Sequence, residues 1–345
     1  MRRVLVTGGA GFIGSHLIRS WLAAHPEDEV VNLDLLTYAG SRARLNGLEG
    51  STRYRLIQGD INDRSIVTPA MQGVELIVHC AAETHVDRSI TDAAPFIRTN
   101  AEGTQTLLDA AREAGVKRFL HLSTDEVYGP ILDGVVDEHA PLRPRSPYAA
   151  SKAAGDLLSQ AAYHTYGLPV IIVRPTNIFG PGQFPEKFLP VCITHAVDRR
   201  PIPVYGDGQQ RRGWLYIDDL CQALQLAASL GGPGDIYNVG SGHECTNLDL
   251  VTQVLSLMEQ GRELMQFVDD RPGHDRRYAM NDDKLRALGW RPARPFEETL
   301  ASTIAWYREH GDWWRPLAQA LREDPYHWLN RPARPSAQPA PRPAR

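Results

Sequence analysis

The sequence contains few cysteines and no long apolar run. Disulfide scaffolds are far denser in cysteine, so we expect core thiols and a reducing compartment, the cytoplasm. No apolar run approaches the roughly 18 residues that a membrane span requires. Residues 1–3 lead directly into a short strand pattern, which is too short for the core of a signal peptide. The four cysteines, none of them in a Cys-x-x-Cys pair, are Cys80, Cys192, Cys221 and Cys245.

The sequence also lacks an excess of charge of one sign. It has 37 basic and 41 acidic residues, which give a formal net charge of −4. This balance gives no signal for a nucleic acid or a membrane surface as a partner, and we expect neither. The twelve histidines show no His-x-x-x-His or similar pairing, so we expect no metal site.

The overall composition is that of a globular protein. Hydrophobic residues make up 42% and charged residues 23% of the 345 residues, a length that allows roughly two domains. Residues 331–345 differ, because they hold five prolines and four arginines but no acidic residue. Such a stretch cannot pack a core, and we expect a disordered tail rich in Pro, Ala and Arg.

Short β-branched stretches alternate with longer amphipathic ones from residue 1 to about residue 174. The predicted strands are Arg3–Thr7, Glu29–Leu33, Tyr54–Gln58, Leu76–His79, Arg118–Ser123 and Val170–Arg174. The clearest predicted helices between them are Phe12–Ala24, Asp92–Ala114 and Tyr148–Tyr166. This alternation predicts an α/β fold with a doubly wound parallel sheet that helices cover on both faces.

A glycine pattern joins the first predicted strand to the first predicted helix. Gly8, Gly11 and Gly14 follow the strand, and Phe12 and Ile13 open the helix. A dinucleotide site needs glycine for the tight turn and for close approach of the backbone to a pyrophosphate, which a helix N-terminus also favours. The pattern predicts such a site, with a tight turn that binds no ligand as the alternative.

Acidic residues follow two later strands of the same unit. Asp34 lies twenty residues after Gly14, where a carboxylate accepts hydrogen bonds from the adenosine ribose and repels a 2′-phosphate. We therefore expect NAD rather than NADP, with a simple turn cap at Asp34 as the alternative. We expect Asp60 and Ile61, after the third strand, to contact the adenine, although an ordinary turn at Gly59 is almost as consistent with the sequence.

The change of pattern after residue 174 predicts the domain organisation. Residues 1–174 are expected to form a Rossmann NAD-binding domain, to whose sheet a strand near residues 236–240 returns. Residues 175–315, punctuated by Pro and Gly, are expected to form a smaller mixed α/β region that binds the substrate at the carboxyl edge of the sheet. Its clearest predicted helices are Asp218–Leu230 and Phe296–Glu309.

Tyr148 and Lys152 form a Tyr-x-x-x-Lys pair at the start of a predicted helix. At this spacing both side chains lie on one face, where the ammonium stabilises the phenolate. The tyrosine can then take a proton from a substrate hydroxyl while hydride leaves to the cofactor. Thr124 follows the strand that ends at Ser123 and provides a second hydroxyl. The alternative is a chance surface pair.

These motifs resemble those of the extended short-chain dehydrogenases/reductases and, more narrowly, of the nucleotide-sugar 4,6-dehydratases. The resemblance runs from about residue 3 to Trp314. The further segments that carry it are 81–90 (AAETHVDRSI), 123–129 (STDEVYG), 184–187 (FPEK), 204–209 (VYGDGQ), 271–278 (RPGHDRRY) and Trp313–Trp314. The Thr124-Asp125-Glu126 triplet distinguishes the 4,6-dehydratases within the superfamily, because the glycine pattern and the Tyr/Lys pair are generic to the superfamily.

The resemblance implies an NAD-dependent lyase that converts an NDP-hexose, foremost dTDP-glucose, to the NDP-4-keto-6-deoxyhexose. The implied steps are oxidation at C4, elimination of water across C5 and C6, and return of hydride to C6. It implies that Asp125 is the acid toward the C6 hydroxyl, that Glu126 is the base at C5, and that Thr124 hydrogen-bonds the C4 oxygen beside Tyr148. Two adjacent carboxyls can divide this work when their environments separate their pKa values. The alternative for them is a solvated turn.

The resemblance also implies binding residues and an assembly. Tyr148, Lys152 and Ala81 are expected to contact the cofactor, and the two helices Asp92–Ala114 and Tyr148–Tyr166 to form a homodimer interface. The two arginines among the expected substrate contacts suit a diphosphate, because a guanidinium binds such anions in a forked geometry. For each substrate contact the alternative is a residue of an ordinary surface loop. The expected contacts are Asn177, Glu186, Lys187, Arg212, Asn238, Arg271 and Tyr278.

Several positions depart from the family pattern. Leu35 stands where lysine is usual, and Gly213 stands where aspartate is common, which deprives Arg212 of an orienting carboxylate. These differences leave the base and the sugar of the donor open. Ile178 and Phe179 stand where asparagine and tyrosine are usual, and they make one wall less polar. Next to them, Gly182-Gln183 replaces an aromatic-containing pair.

Two other functions are compatible with the sequence. An NDP-sugar 4-epimerase or decarboxylase of the same fold uses the same Thr, Tyr, Lys and NAD, but it does not need Asp125 beside Glu126. A non-catalytic NAD-binding regulator would be free to lose Tyr148 or Lys152, and this chain keeps both.

Overall fold

The computed structural model describes residues 2–322, so the predicted tail at residues 331–345 lies outside the described residues. In the described part of the chain, no helix is long and apolar enough to cross a membrane. Each of the four cysteines is a free thiol.

Residues 2–322 contain twelve strands and twelve α-helices, together with short 3₁₀- and π-helical turns. The strands are β1 (Arg3–Thr7), β2 (Glu29–Asp34), β3 (Tyr54–Gln58), β4 (Val74–His79), β5 (Arg118–Leu122), β6 (Val170–Pro175), β7 (Asn177–Phe179), β8 (Ile202–Tyr205), β9 (Arg211–Tyr216), β10 (Ile236–Val239), β11 (Glu244–Thr246) and β12 (Met265–Val268). The helices are α1 (Phe12–Ala24), α2 (Arg64–Ala70), α3 (Val86–Thr91), α4 (Ala94–Ile97), α5 (Gly103–Ala114), α6 (Pro147–Tyr166), α7 (Phe188–Val197), α8 (Ile217–Leu230), α9 (Asn247–Leu257), α10 (Asp283–Ala287), α11 (Phe296–Glu309) and α12 (Gly311–Arg322).

Seven parallel strands form the central sheet, in the order β10-β6-β5-β4-β1-β2-β3. Strand β1 pairs in parallel with β2 on one side and with β4 on the other. The chain therefore winds outward from β1 in both directions, which opens a crevice at the carboxyl ends of these strands. The α/β fold with a doubly wound parallel sheet is confirmed.

Both faces of the sheet are covered, as its continuously apolar strands require. In β1, Val4 and Val6 belong to one hydrophobic cluster, which includes Trp21 of α1, whereas Leu5 belongs to a second cluster with Leu107 of α5. Alternate residues of one strand thus face opposite layers of helices. The sheet is buried on both sides, and its carboxyl edge is left as the place for a site.

The part of the chain after β6 adds two small sheets and one strand of the central sheet. Strand β10 pairs in parallel with β6 of the central sheet. The small sheets have the orders β11-β9-β7 and β12-β8. Strand β7 begins two residues after the end of β6, which places this region beside the carboxyl edge of the central sheet.

The predicted helix Asp92–Ala114 runs from Ala94 to Ala114, and it contains a π-helical turn that the sequence did not indicate. Between α4 and α5 the chain forms a π-helical turn, Arg98–Glu102. Asn100 in this turn accepts a hydrogen bond from the backbone of Glu83 at 2.9 Å and donates one to the Ser151 hydroxyl at 2.9 Å. A π-turn inserts an extra residue into a helix, and here it brings Asn100 to two distant segments.

Two histidines lie side by side in the middle of the sheet. His79 of β4 and His121 of β5 are register partners, fully buried, with ring centroids 5.3 Å apart. His79 forms hydrogen bonds with the hydroxyls of Thr7 at 2.8 Å and Thr104 at 2.9 Å. Neither ring nitrogen of His121 has a partner among the described residues. Burial lowers the pKa of both rings well below the usual value, so both are neutral.

Candidate active site

A cavity of about 320 Å³ lies at the carboxyl edge of the central sheet. Residues from the ends of β1, β2, β4, β5 and β6 line it, as expected for the crevice of a doubly wound sheet. The predicted cofactor residues that line it are Gly8, Gly11, Phe12, Ile13, Gly14, Asp34, Asp60, Ile61, Ala81 and Tyr148. The predicted catalytic and substrate residues that line it are Thr124, Asp125, Glu126, Asn177, Glu186 and Lys187.

The glycine turn leaves no space for larger side chains. Gly8 has φ +70°, and a Cβ atom there would lie 2.7 Å from the Cα of Ala81. A Cβ atom on Gly14 would lie 2.3 Å from the carbonyl oxygen of Gly8. At Gly11, which precedes α1, the nearest atom to such a Cβ is that same oxygen at 3.1 Å. The turn therefore brings bare backbone to the cavity at the N-terminus of α1, which fits the pyrophosphate of a dinucleotide.

Asp34 connects β2 to the glycine turn. One carboxylate oxygen accepts a hydrogen bond from the backbone of Ala10 at 2.8 Å, and the other accepts one from the backbone of Leu36 at 2.7 Å. Burial raises the pKa of Asp34. Asp60 accepts hydrogen bonds from its neighbour Asn62 in a local turn. Both residues line the cavity, and their contacts with a ribose and an adenine remain predictions.

The Thr124 triplet begins where β5 ends. Thr124 caps the short 3₁₀-helix Asp125–Tyr128 by accepting a hydrogen bond from the backbone of Glu126 at 3.3 Å. Its hydroxyl also donates to the Asp125 carboxylate at 3.2 Å. The tight turn presents all three side chains to the same cavity. A solvated turn is therefore excluded, since Asp125 is only 3% exposed.

Tyr148 and Lys152 lie on the buried side of α6, but the Lys152 ammonium donates to a backbone carbonyl rather than to the Tyr148 phenol. The Tyr148 phenol lines the same cavity as Thr124. Burial and the nearby charge of Glu126 raise its pKa, so it is protonated here. The Lys152 ammonium donates to the carbonyl of Leu122 at 2.6 Å, behind the cavity wall. Burial lowers the pKa of Lys152 to about 8.

The two carboxyls of the triplet have different surroundings. Burial, and then the charge of Glu126, raise the pKa of Asp125 to about 7. Burial also raises the pKa of Glu126, but the cations of Arg271, Arg212 and Lys187 oppose this shift. Asp125 is therefore the carboxyl suited to hold a proton near neutral pH, and Glu126 is the one that cations favour as an anion.

A basic and aromatic cluster lies next to Glu126. The Arg212 guanidinium stacks on the ring of Tyr278 at 4.4 Å and donates to the carbonyl of Asp275 at 2.9 Å. The Tyr278 hydroxyl donates to the carboxylate of Asp275 at 2.9 Å and to that of Glu126 at 3.5 Å. Gly213 provides no carboxylate for Arg212, and the ring of Tyr278 and the carbonyl of Asp275 orient the guanidinium instead.

Gly213 has a different consequence, which concerns Thr176. A Cβ atom at Gly213 would lie 2.6 Å from the Thr176 hydroxyl oxygen, and that hydroxyl donates to the carbonyl of Gly213 at 3.2 Å. Thr176 lines the cavity and is one of the groups that lower the pKa of Asp125. The missing side chain thus makes room for a hydroxyl beside the proposed acid.

Arg271 is held by a carboxylate that the sequence did not single out. Its guanidinium donates to Asp87 at 3.1 Å, and the Tyr205 hydroxyl donates to the other oxygen of the same carboxylate at 3.3 Å. Asp87 is buried, and it opens α3, far from Arg271 in sequence. The contact brings residues 184 positions apart together, so no local pattern could have revealed it.

The remaining predicted substrate residues divide into two groups. Asn177 and Lys187 line the cavity, and the Lys187 ammonium donates to the backbone and the hydroxyl of Thr84. Asn238 is fully buried instead: its amide oxygen accepts from the Tyr128 hydroxyl at 2.7 Å, and its nitrogen donates to the carbonyl of Asn281. A nucleotide contact of Asn238 stays a prediction that this arrangement does not support.

The residue directly before the triplet has a hydroxyl without a hydrogen-bond partner among the described residues. The Ser123 hydroxyl is buried in the cavity wall beside Thr124 and has no hydrogen-bond partner among the described residues. A buried polar group without a partner is costly, so such an atom at a cavity suggests a bound polar ligand. Its place directly before Thr124 was the available sequence signal. In residues 2–322 no group of three or more His, Cys, Asp or Glu side chains could hold a metal ion.

Comparison with known proteins gives consistent matches over most of the chain. Residues 4–240 match the NAD dependent epimerase/dehydratase family. The chain is 48% identical over 320 residues to a dTDP-glucose 4,6-dehydratase of Streptomyces niveus, a match that covers 91% of this chain and 95% of the relative. It is also 48% identical over 304 residues to the low-salt glycan biosynthesis protein Agl12 of Haloferax volcanii, with 88% and 98% of the two chains covered.

Solved structures agree with these sequence matches. The dTDP-glucose 4,6-dehydratase DesIV of Streptomyces venezuelae, solved with NAD bound, superposes with a TM-score of 0.90 at 49% identity and covers 91% of this chain and 99% of its own. A UDP-glucose 4-epimerase of Thermus thermophilus, solved with NAD, has a TM-score of 0.82 at 32% identity, with 89% and 99% covered.

Proposed function

Since this chain belongs to the NAD dependent epimerase/dehydratase family, we propose that it is an NAD-dependent lyase that converts dTDP-glucose to the 4-keto-6-deoxy nucleotide sugar. The observation that carries this proposal is the Asp125–Glu126 pair at the end of β5, beside Tyr148. Burial raises the pKa of Asp125 to about 7, whereas the charges of Arg271, Arg212 and Lys187 favour the anionic form of Glu126. An epimerase of the same fold has no need for such a pair.

The glycine turn, Asp34, Asp60, Ile61 and the wall at Ala81 would hold NAD, which supplies a reversible hydride acceptor for the sugar when it is bound. The geometry supports this, because a Cβ atom on Gly8 or Gly14 would collide with the backbone of the same cavity wall. The roles of all these residues in binding are proposals.

The side chains of the triplet and α6 would move the protons. As the phenolate, Tyr148 takes the proton of the C4 hydroxyl, and Thr124, which lines the same cavity, holds the C4 oxygen. Lys152, positioned by the carbonyl of Leu122, supplies positive charge on the same side of the site. This charge favours the phenolate that burial disfavours.

Elimination requires a base and an acid on neighbouring atoms. Once C4 is a ketone the proton on C5 becomes acidic, and Glu126 takes it. Asp125, which holds a proton near neutral pH, gives that proton to the C6 hydroxyl, which leaves as water. Return of hydride to C6 and of the proton from Glu126 to C5 completes the cycle. C4 is thereby oxidised and C6 reduced, so the sugar loses one water and no net electrons.

The diphosphate of the donor would bind to the basic cluster beside Glu126. Arg212 stacked on Tyr278 and Arg271 paired with Asp87 are both fixed before a ligand arrives. Preorganised guanidinium groups bind diphosphate oxygens with two parallel hydrogen bonds each. Asn177, Glu186 and Lys187 lie on the sugar side of the cavity in this proposal.

We further propose a homodimer in the cytoplasm. Exposed apolar side chains on the two helical segments support the dimer, since Ile97 is 51% and Leu157 is 54% exposed. Both lie on the segments expected to form the interface. The free cysteines support a reducing compartment. In the same way, we propose a Rossmann domain over 1–174 and a substrate-binding region over 175–315.

The test is turnover of dTDP-glucose by the purified protein, followed by mass spectrometry. We expect a product that has lost one water and carries a 4-keto group. A product of unchanged mass would contradict the proposal in favour of epimerisation. Absence of turnover with every NDP-hexose, together with bound NAD, would favour a regulator instead.

A further inference from the structure

The loop that follows Asp34 crosses from the cofactor side of the cavity to the sugar side. Leu35, Thr37, Ala39 and Gly40 line the cavity, whereas Tyr38 reaches toward residues 184–186. The segment at residues 183–187 lines the same cavity from the opposite side. Tyr38 therefore connects two walls that enclose one space.

Three contacts of Tyr38 make this connection. Its hydroxyl donates to one carboxylate oxygen of Glu186 at 2.9 Å. Its ring packs edge-on against Phe184 with centroids 5.4 Å apart, and the Arg88 guanidinium lies 4.4 Å from the ring centre. Tyr38 as a whole is 41% exposed, but desolvation of its phenol and the charge of Glu186 raise its pKa, so the phenol is protonated and can donate.

Glu186 is the anchor on the opposite wall. Its side chain is only 2% exposed, and its second oxygen accepts a hydrogen bond from Arg88 at 3.2 Å. The two oxygens of one carboxylate are thus divided between Tyr38 and Arg88. A buried carboxylate with a cation and a phenol as partners forms strong hydrogen bonds. This geometry also explains why Glu186 is buried at the cavity, where the sequence suggested a sugar contact.

We propose that Tyr38, Glu186 and Arg88 form a clasp across the cleft that keeps NAD bound during the whole reaction cycle. This inference rests on the proposed function, in which hydride leaves C4 and returns at C6. A cofactor that dissociated between these steps would end the cycle with an oxidised sugar. The clasp ties the loop after the adenosine-binding Asp34 to the sugar-side segment, so the cofactor site cannot open without breaking it. Tyr38 is in this sense a positioning residue that touches neither reacting atom.

The test compares two variants that each remove one phenol hydroxyl. Tyr38→Phe deletes the hydrogen bond to Glu186 and keeps the ring against Phe184 and Arg88. Tyr237→Phe is the matched control, because the Tyr237 hydroxyl donates to the Asp235 carboxylate at 2.8 Å, outside the cavity. The measurement is the exchange of bound NAD for isotopically labelled NAD in the holoenzyme without sugar.

We expect bound NAD to exchange about tenfold faster in Tyr38→Phe, because the closed clasp of this variant lacks the hydrogen bond to the charged Glu186. We expect Tyr237→Phe to exchange NAD at the rate of the unsubstituted protein. With dTDP-glucose and no added NAD, the activity of Tyr38→Phe should decay during turnover, whereas that of Tyr237→Phe should persist. A purely structural role would lower the unfolding temperature of both variants and leave the exchange rate unchanged.

Equal exchange rates in Tyr38→Phe and Tyr237→Phe would overturn the clasp. Faster exchange in Tyr38→Phe together with no dehydration of any nucleotide sugar by the unsubstituted protein would contradict the proposed reaction and leave the clasp intact. A purified protein that binds no NAD would contradict both.

Discussion

The two ends of the cavity are built in different ways. At the cofactor end, a single turn between β1 and α1 supplies Gly8, Gly11 and Gly14, and the required property is the absence of side chains. At the sugar end, charged side chains from distant segments converge, such as Arg271 on Asp87. The first end depends on backbone shape and the second on paired charges. They should therefore respond differently to substitution.

Glu126→Gln should have the largest effect, and it should affect only the sugar end. The amide cannot take the C5 proton, so we expect kcat to fall by about 10²–10⁴-fold, the usual contribution of a general base. Binding of NAD should be unchanged, because Glu126 is not part of the glycine turn. Steady-state kinetics and the NAD content of the purified variant measure both properties. Near-normal turnover would refute the role of Glu126.

Gly14→Ala should affect the cofactor end instead. The added Cβ atom would lie 2.3 Å from the Gly8 carbonyl oxygen and 2.6 Å from the Cα of Gly9. Overpacking against backbone costs roughly 1–3 kcal/mol, so both the free energy of unfolding and NAD affinity should fall. Chemical denaturation and NAD titration are the measurements.

Gly11→Ala is the matched control for that substitution. Its Cβ atom would meet only the Gly8 carbonyl oxygen, at 3.1 Å. We expect nearly normal stability with weaker NAD binding, because the methyl group occupies space at the start of α1. Equal losses of stability in the two variants would show that packing rather than cofactor approach governs this turn.

Asp87→Asn should weaken substrate binding about tenfold, since it removes the charged partner that holds Arg271. The increase should appear in KM for dTDP-glucose, with a much smaller change in kcat, because Arg271 contacts the diphosphate in the proposed mode. NAD binding should stay unchanged. A fall in kcat at constant KM would place Asp87 in the chemical step instead.

The smallest effect should come from pH. The pKa of Asp125 is raised to about 7, and the proposed acid works in its protonated form. At saturating substrate, kcat should therefore fall to half its maximum near pH 7 as Asp125 loses its proton, and fall further as pH rises, whereas on the acid side kcat should fall when the base Glu126 is protonated. A rate that stays constant well above neutral pH would contradict the assignment.

The sequence predicted the cofactor end more completely than the sugar end. The glycine spacing, Asp34 and the strand ends follow from local patterns, and the structure places all of them at one cavity. The contacts of Arg212 with Tyr278 and of Tyr38 with Glu186 join segments far apart in the chain. Side-chain pairing between loops leaves no periodic trace in the sequence, which is why these contacts could not be predicted.

The same reason explains why the sequence did not indicate two further features. The π-turn at Arg98–Glu102 depends on the contacts of Asn100 with Glu83 and Ser151, whereas the apolar periodicity continues through it. Asn238 lies in a strand beside the cavity, and only the three-dimensional arrangement shows that Tyr128 and Asn281 take up its amide. The position of a residue along a strand shows that it lies at the edge of a site. It does not show whether the side chain faces the cavity or bonds to a neighbouring segment.

The pair of neutral histidines in the sheet has a consequence for the conditions that the protein tolerates. The pKa values of His79 and His121 lie well below 6.5 in the folded state, so the unfolded chain binds protons that the folded chain cannot. As pH falls through 6.5, unfolding therefore becomes easier with each proton gained. Two buried rings in the middle of the sheet thus set a lower limit to the pH at which the folded protein keeps its full stability.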